Sequence, residues 1–372
     1  MTATNTKELN LLEKAAAEFA GKVLAPGREE NDRFPFGPFF KSVLDQAFDL
    51  DFFHVTLPED LGGIGHGVGA LCIVLDNICR EDASLGGIIF TTTFVQQVLL
   101  AVGEKERLAA IISDEKKADS FLMAYPVLCN PAEMKLTANA QEKDGAYVIS
   151  GTVSYLVLGG IAKFGVIPAI VSGTNGYTFF LIDMADSAIT KSEPVMSHGL
   201  HACPAVDITL SGVKGTPVGK VGDGNAYFKA VAETLQIAAA AMSGGVMKGS
   251  LKEAIAYCKE RQQGGRKIKD WSAMQMLLAD MAIQVQVADM LISRACQAVE
   301  NKEKGWENCV HAASLHIQSA ATQLTTDGIQ ALGGVGYMKD FGQEKRFRDA
   351  GQIQAFLGLA PMKKIRFIKR II

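Results

Sequence analysis

Gln330-Ala-Leu-Gly-Gly-Val-Gly-Tyr337, followed by Glu344-Lys-Arg-Phe-Arg-Asp-Ala350 and Gln354-Ala-Phe-Leu-Gly358, is the stretch that decides the fold. Its glycines close a long apolar helix pattern, because glycine takes up the left-handed conformation that ends a helix. Upstream, segments rich in Ala, Leu, Met, Gln and Lys run roughly over 225–263, 270–302 and 307–332. Long helices with short links pack as an antiparallel bundle, so residues 219–372 read as a C-terminal helical bundle.

Before the bundle the texture changes. Tyr147-Val-Ile-Ser150, Gly165-Val-Ile-Pro-Ala-Ile-Val171 and Tyr177-Thr-Phe-Phe-Leu-Ile182 alternate with period two and are bounded by Gly, Asn, Asp or Pro. Such runs read as strands, and several close together predict a small barrel or sandwich over 121–218. Residues 1–120 read as an all-helical unit. Leu11, Leu12, Ala15, Ala16, Phe19 and Val23 recur at helical spacing, and Pro26-Gly27 is expected to stop that helix. A second helix is expected from Pro38 to Asp49, then the loop Leu57-Pro-Glu-Asp-Leu-Gly-Gly-Ile-Gly65, a long apolar helix from near Gly69 and another from near Thr91. The fold class is α+β, in the order helical, β, helical.

The bulk numbers exclude some functions. The chain has 372 residues, 48% hydrophobic and 21% charged, with a net charge of −3. A nucleic-acid partner favours a basic face, so none is expected. No run of about 18 uncharged apolar residues occurs, so no membrane span is expected. The start lacks the basic-then-apolar pattern of a secretory signal. The seven cysteines include no C-x-x-C pair, and an odd count fits reduced thiols in a cytoplasm. Neither His198/His201 nor His311/His316 has carboxylates or cysteines at ligand spacing, so no metal site is expected.

The order and spacing of the C-terminal segments resemble the signature of the acyl-CoA dehydrogenase family. Leu57-Pro-Glu-Asp-Leu-Gly-Gly63, Lys259-Glu-Arg-Gln-Gln-Gly-Gly-Arg-Lys-Ile268, Leu278-Ala-Asp-Met281 and Arg348-Asp-Ala350 extend the resemblance over nearly the whole chain. It implies an N-terminal helical domain, a central β-barrel domain and a C-terminal four-helix bundle, usually assembled as a tetramer. It also implies FAD between bundle and β domain, with a neighbouring subunit closing over the adenine end. Arg261 matches the arginine that reaches the FAD pyrophosphate, for which a guanidinium fork is suited. Gln330, Gly333 and Gly334 match the turn at the ADP portion. An acyl-CoA thioester as substrate and an electron-transfer flavoprotein as electron acceptor follow from the same resemblance.

Several positions depart from the family pattern. The flavin-facing segment, usually Thr-Glu-Pro-x-Ala-Gly-Ser-Asp, is Ala124-Tyr-Pro-Val-Leu-Cys-Asn-Pro131. The next, usually Trp-Ile-Ser/Thr-Asn-Gly, is Tyr155-Leu-Val-Leu-Gly159. Gly264 replaces a phenylalanine and Ser272 a glutamine. Each loss removes a partner for a flavin edge or face. The reaction needs a carboxylate in a dry pocket as general base beside the thioester α-carbon. The family's Glu is Leu357 here, and the alternative Glu used by one branch, on an earlier bundle helix, is Leu235. Gln236 stands where an arginine often neighbours CoA, and Glu233 reads as an ordinary polar position on an amphipathic helix. The base is therefore not at the usual positions. Three readings follow: a flavoenzyme with a displaced base, a non-catalytic partner subunit of a hetero-oligomer, and a flavin-free binding protein on the same fold.

Overall fold

The computed structural model describes residues 3–34, 36–37, 41–113 and 118–372. The first helices are α1 (Ala3–Phe19), α2 (Ala25–Asn31), α3 (Lys41–Asp49), α4 (Val68–Cys79), α5 (Ala83–Ala101), α6 (Lys105–Ser113) and α7 (Ala118–Phe121). Pro38, where the second helix was expected to start, lies outside the described residues.

Two helix boundaries correct the sequence reading. Pro26 does not stop the first helix: a π-helical turn, Ala20–Leu24, leads directly into α2, with the proline in its first turn. The widened π turn before it lets a residue that has no N–H sit within a continuous helical run. The helix expected near Thr91 starts at Ala83, where Asp82 caps it by accepting from the Ser84 N–H at 2.9 Å. Thr91 lies inside this helix and satisfies its buried hydroxyl on the Gly87 carbonyl, 2.7 Å away.

Among the described residues, seven strands form one mixed sheet: β1 (Met123–Ala124), β2 (Asn139–Lys143), β3 (Ala146–Val157), β4 (Phe164–Val171), β5 (Tyr177–Asp183), β6 (Ile189–Lys191) and β7 (Ala205–Val218). The pairings β4–β2, β2–β3, β3–β7, β7–β5 and β5–β4 return to their starting point, so five strands close a small barrel. Closure leaves those strands no free edge. Inside it pack apolar alternates such as Ile149, Ile167, Phe180 and Val213, all fully buried.

Three long helices follow, α8 (Gly224–Glu260), α9 (Ser272–Glu300) and α10 (Trp306–Leu332), then the short α11 (Gln343–Ile353) and α12 (Ala360–Ile368). The unbroken run Ile237–Met242 of α8 is fully buried, since this helix packs against α4, α5, α9, α10 and α11. A helix apolar on all sides needs such all-round cover. The fold is that expected: N-terminal helices, a central β barrel and a C-terminal helical bundle.

Ala83–Ala101, Gly224–Glu260 and Ser272–Glu300 are long and apolar enough, by length and composition, to cross a membrane. The expectation of no such segment rested on uninterrupted apolar runs, whereas mean hydropathy tolerates a few charges. In the first two, 89% and 83% of the apolar window is buried inside the protein; in the third only 17% is. That third helix exposes Met276, Ile283 and Met290, two turns apart on one face.

Candidate functional site

The charged segment before Leu357 is a structural anchor. Buried Lys345 lies between Asp82 (2.9 Å) and Asp349 (2.7 Å). Asp349 also accepts from the Leu200 N–H at 2.8 Å. Arg346 reaches Glu253 at 2.8 Å, and Arg348 bridges Asp32 (2.6 Å) and Glu344 (2.7 Å). Helix α11 is thus held by the N-terminal helices, the barrel side and α8 together. Burial drives the Asp32 carboxyl upward in pKa, but hydrogen bonds from His201 and Arg348 outweigh it and hold it well below the carboxylate range. For Lys345, burial alone would lower the amine; Asp349 and Asp82 reverse that and raise it.

Beyond α11 the chain turns at Leu357, which is fully buried with φ +62° and whose N–H donates to the Val127 carbonyl at 2.8 Å. A left-handed conformation at a non-glycine residue costs energy and persists only where surroundings enforce it. Leu357 lines a cavity of about 390 Å³ together with Asn130, Glu133, Phe228, Glu233, Gln236 and His311. Lys229, Arg366, Lys369 and Arg370 line it as well. Leu235 is buried in α8 but is not among the lining residues, whereas Gln236 is.

Sequence reasoning missed the polar group in this cavity. His311 Nε2 lies 2.8 Å from Glu233 Oε2, and Arg370 pairs with the other carboxylate oxygen of Glu233. The pair comes from α8 and α10, 78 positions apart, so neither helix pattern alone signals it. Burial pushes the Glu233 carboxyl up; His311 and Arg370 outweigh it and leave it below its ordinary value. Arg366 is likewise paired with Glu133, while Lys229 and Lys369 are exposed.

Arg261, Gln330, Gly333 and Gly334 are brought together on one groove of about 490 Å³, with Tyr257, Gln263 and Met274 among its other walls. All four are exposed. Arg261 leaves the end of α8 in extended conformation, and the strands β8 (Gln262–Gln263) and β9 (Arg266–Lys267) form a hairpin. Its two turn residues, Gly264 and Gly265, have φ +65° and +81°, the pairing that favours glycine in such hairpins. A side chain at 264 would also strike Trp271, 2.8 Å from the Cβ position. The indole therefore takes the space beside the hairpin where the family pattern has a phenylalanine. At Gly333, φ +64°, a Cβ would meet nothing within 4 Å, and at Gly334 only the Tyr337 hydroxyl at 3.9 Å. The glycine turn is an open cradle of backbone beside a guanidinium, and these residues fit the diphosphate and adenine end of FAD.

A separate cavity of about 370 Å³ is lined by Pro126, Leu128, Cys129, Tyr155, Ser197 and Gln352 among others. This is where the flavin ring is expected from the family segments. Tyr155, φ +55°, accepts from Gln352 Nε2 at 3.0 Å, and its N–H donates to Asp207 at 2.7 Å. Burial raises its phenol above the ordinary value, which makes it a still poorer base at neutral pH. The cavity and the groove share no lining residue. Among the described residues no cluster of three or more His, Cys, Asp or Glu is placed to hold a metal ion.

Comparison with known proteins agrees with this fold. The family profile "Acyl-CoA dehydrogenase, C-terminal domain" matches residues 222–369, and "Acyl-CoA dehydrogenase, N-terminal domain" matches 6–113. The caffeyl-CoA reductase-Etf complex subunit CarC of Acetobacterium woodii is 25% identical over 97% of both chains. The 3-(aryl)acrylate reductase of Clostridium sporogenes is 26% identical, again over 97% of both. Butyryl-CoA dehydrogenase from Megasphaera elsdenii has the same fold, with a TM-score of 0.88 at 21% identity over 100% of this chain and 98% of that one.

Proposed function

The chain belongs to the acyl-CoA dehydrogenase family, and from that premise we propose that it is a cytoplasmic flavoprotein oxidoreductase acting on the α,β-carbons of a CoA thioester, with its base displaced from positions 357 and 235. The observation that carries this reading is the cavity beside Leu357, apolar at Leu357 and Phe228 and cationic at Lys229 and Lys369. An apolar interior suits an acyl chain, and exposed cations suit the phosphates of CoA. FAD, when bound, would supply a hydride acceptor for the β-carbon.

The chain's own residues divide the remaining work. Arg261 would pair with the diphosphate, and the open backbone at Gly333-Gly334, with Gln330, would receive the adenine end. Following the family resemblance, we assign the groove of one copy and the ring-side cavity of another to the same dinucleotide. The exposed stripe Met276, Ile283 and Met290 on α9 is the face we assign to that assembly, as a homo-oligomer or with a related subunit. An electron-transfer flavoprotein is the proposed redox partner; CarC's own name places that relative in an Etf complex.

A second reading is favoured by one observation: Leu357 fills the usual base position with a fully buried hydrocarbon. A chain so built would serve as the non-catalytic partner of a related subunit. Base catalysis contributes about 10²–10⁴-fold, so turnover of a saturated acyl-CoA by this chain alone is expected to fall short by that order. The test is an absorption spectrum of the chain purified alone and after co-expression with a related subunit, followed by titration with an acyl-CoA. A flavin band perturbed by the thioester supports the first reading. A band seen only after co-expression supports the second. Absence of both flavin and thioester binding overturns both.

A further inference from the structure

We infer that His311, held by Glu233, is the proton acceptor that replaces the missing glutamate, an inference that rests on the thioester reading of this cavity. Three observations carry it. His311 and Leu357 line the same cavity. The imidazole side chain is only 5% exposed and lies 2.8 Å from Glu233. Arg370 pairs with the same carboxylate and favours its ionised form.

The tautomer follows from this arrangement. An ionised carboxylate only accepts hydrogen bonds, so Nε2 of His311 carries the proton and Nδ1 keeps the lone pair. In the step proposed, the thioester α-C–H bond breaks and its electron pair moves onto the carbonyl oxygen as an enolate. The proton bonds to Nδ1, and the imidazolium that forms is stabilised by Glu233. No oxidant is consumed up to this point. Glu233 acts as the positioning residue: it fixes the tautomer and favours the charged ring. The carboxylate–histidine pair is the arrangement that activates bases on unrelated folds, reached here with residues from two bundle helices.

The experiment follows α-proton exchange rather than turnover. Phenylacetyl-CoA has α-hydrogens but no β-hydrogen that can leave as hydride, so it reports proton transfer alone. Its deuterium uptake in D₂O is measured by mass spectrometry with the full chain as purified, beside a calorimetric measurement of its binding. The expected result is exchange above background that falls about 10²-fold or more in His311→Gln, with binding of the thioester retained. Glu233→Gln is expected to lower exchange less, and Glu233→Asp to restore part of it, with thioester binding retained in both, since only the second keeps a carboxylate for the imidazolium. The other charged groups lining the cavity are Lys229, Glu133, Arg366, Lys369 and Arg370, which these variants retain. His311→Asn serves if the glutamine variant does not fold. Bound thioester with exchange unchanged in the histidine variants overturns the inference. Bound thioester with no exchange in the unaltered chain also overturns it, while leaving thioester binding intact. Failure to bind phenylacetyl-CoA and a straight-chain acyl-CoA alike removes the thioester reading itself, and the inference with it.

Discussion

At the groove, Arg261, Gln330 and the open glycines 333 and 334 keep the family pattern and are exposed, while Gly264 and Ser272 beside it depart from that pattern. At the cavity the backbone is present and the side chains differ. Leu357 keeps an enforced left-handed turn, tied to Val127, yet presents only hydrocarbon. Under the proposed function, the difference teaches that a surface for a cofactor edge and a reaction centre are separately encoded. The groove depends on backbone openness and one cation, and the cavity on the identity of single polar groups. A chain can therefore keep the first while re-founding the second.

The most forceful way to break this contrast is Leu357→Glu. If only the side chain is missing, a carboxylate there should have a raised pKa in its dry setting and regain part of the 10²–10⁴-fold due to a base. Flavin bleaching by an acyl-CoA is the measurement, and no gain would mean that the backbone around 357 differs functionally as well. Next comes Lys345→Met, which strands Asp82 and Asp349 in the interior. Removing one partner from such a buried network costs about 3–5 kcal/mol, read as a lower denaturation midpoint. The same network sets a pH window. Asp32 has a depressed folded pKa, so its contribution is present above the unfolded value of about 4 and is lost as pH falls. Lys345 has a raised one, so its contribution is present below about 10.4 and is lost as pH rises. A stability profile flat across both limits would contradict the assignment.

Arg261→Ala sharpens the contrast from the other side. Losing a charge-assisted hydrogen bond of about 1.5–3 kcal/mol should cut FAD retention roughly 10–100-fold while leaving thioester binding at the cavity unchanged. Smallest in its effect on the folded chain is Ile283→Glu on the exposed α9 face, expected to change its stability by no more than about 0.5 kcal/mol. Light scattering should nonetheless show a smaller assembly, and flavin retention should fall with it.

The bundle was legible in the sequence because long helices repeat their signal many times, and the strands because period two stands out between turns. The groove was legible because a glycine turn and an arginine keep their local spacing. Pro26 and Thr91 misled, since a proline in a first turn and a buried back-bonded threonine look like breakers from composition alone. Glu233 and His311 were not legible as a pair: each is an ordinary helical position until α8 and α10 pack. Membrane-like hydropathy was also underestimated, because the apolar character of Ser272–Glu300 is spread over a helix that carries charges.

Helix α11 has one further consequence. Through eleven residues it grips the N-terminal helices at Asp82 and Asp32, the barrel side at Leu200 and the long bundle helix at Glu253. No region can detach without breaking charges that another region needs. Heat or denaturant should therefore find one cooperative unit rather than three, and calorimetry should record a single melting peak that splits only when this small rivet is removed.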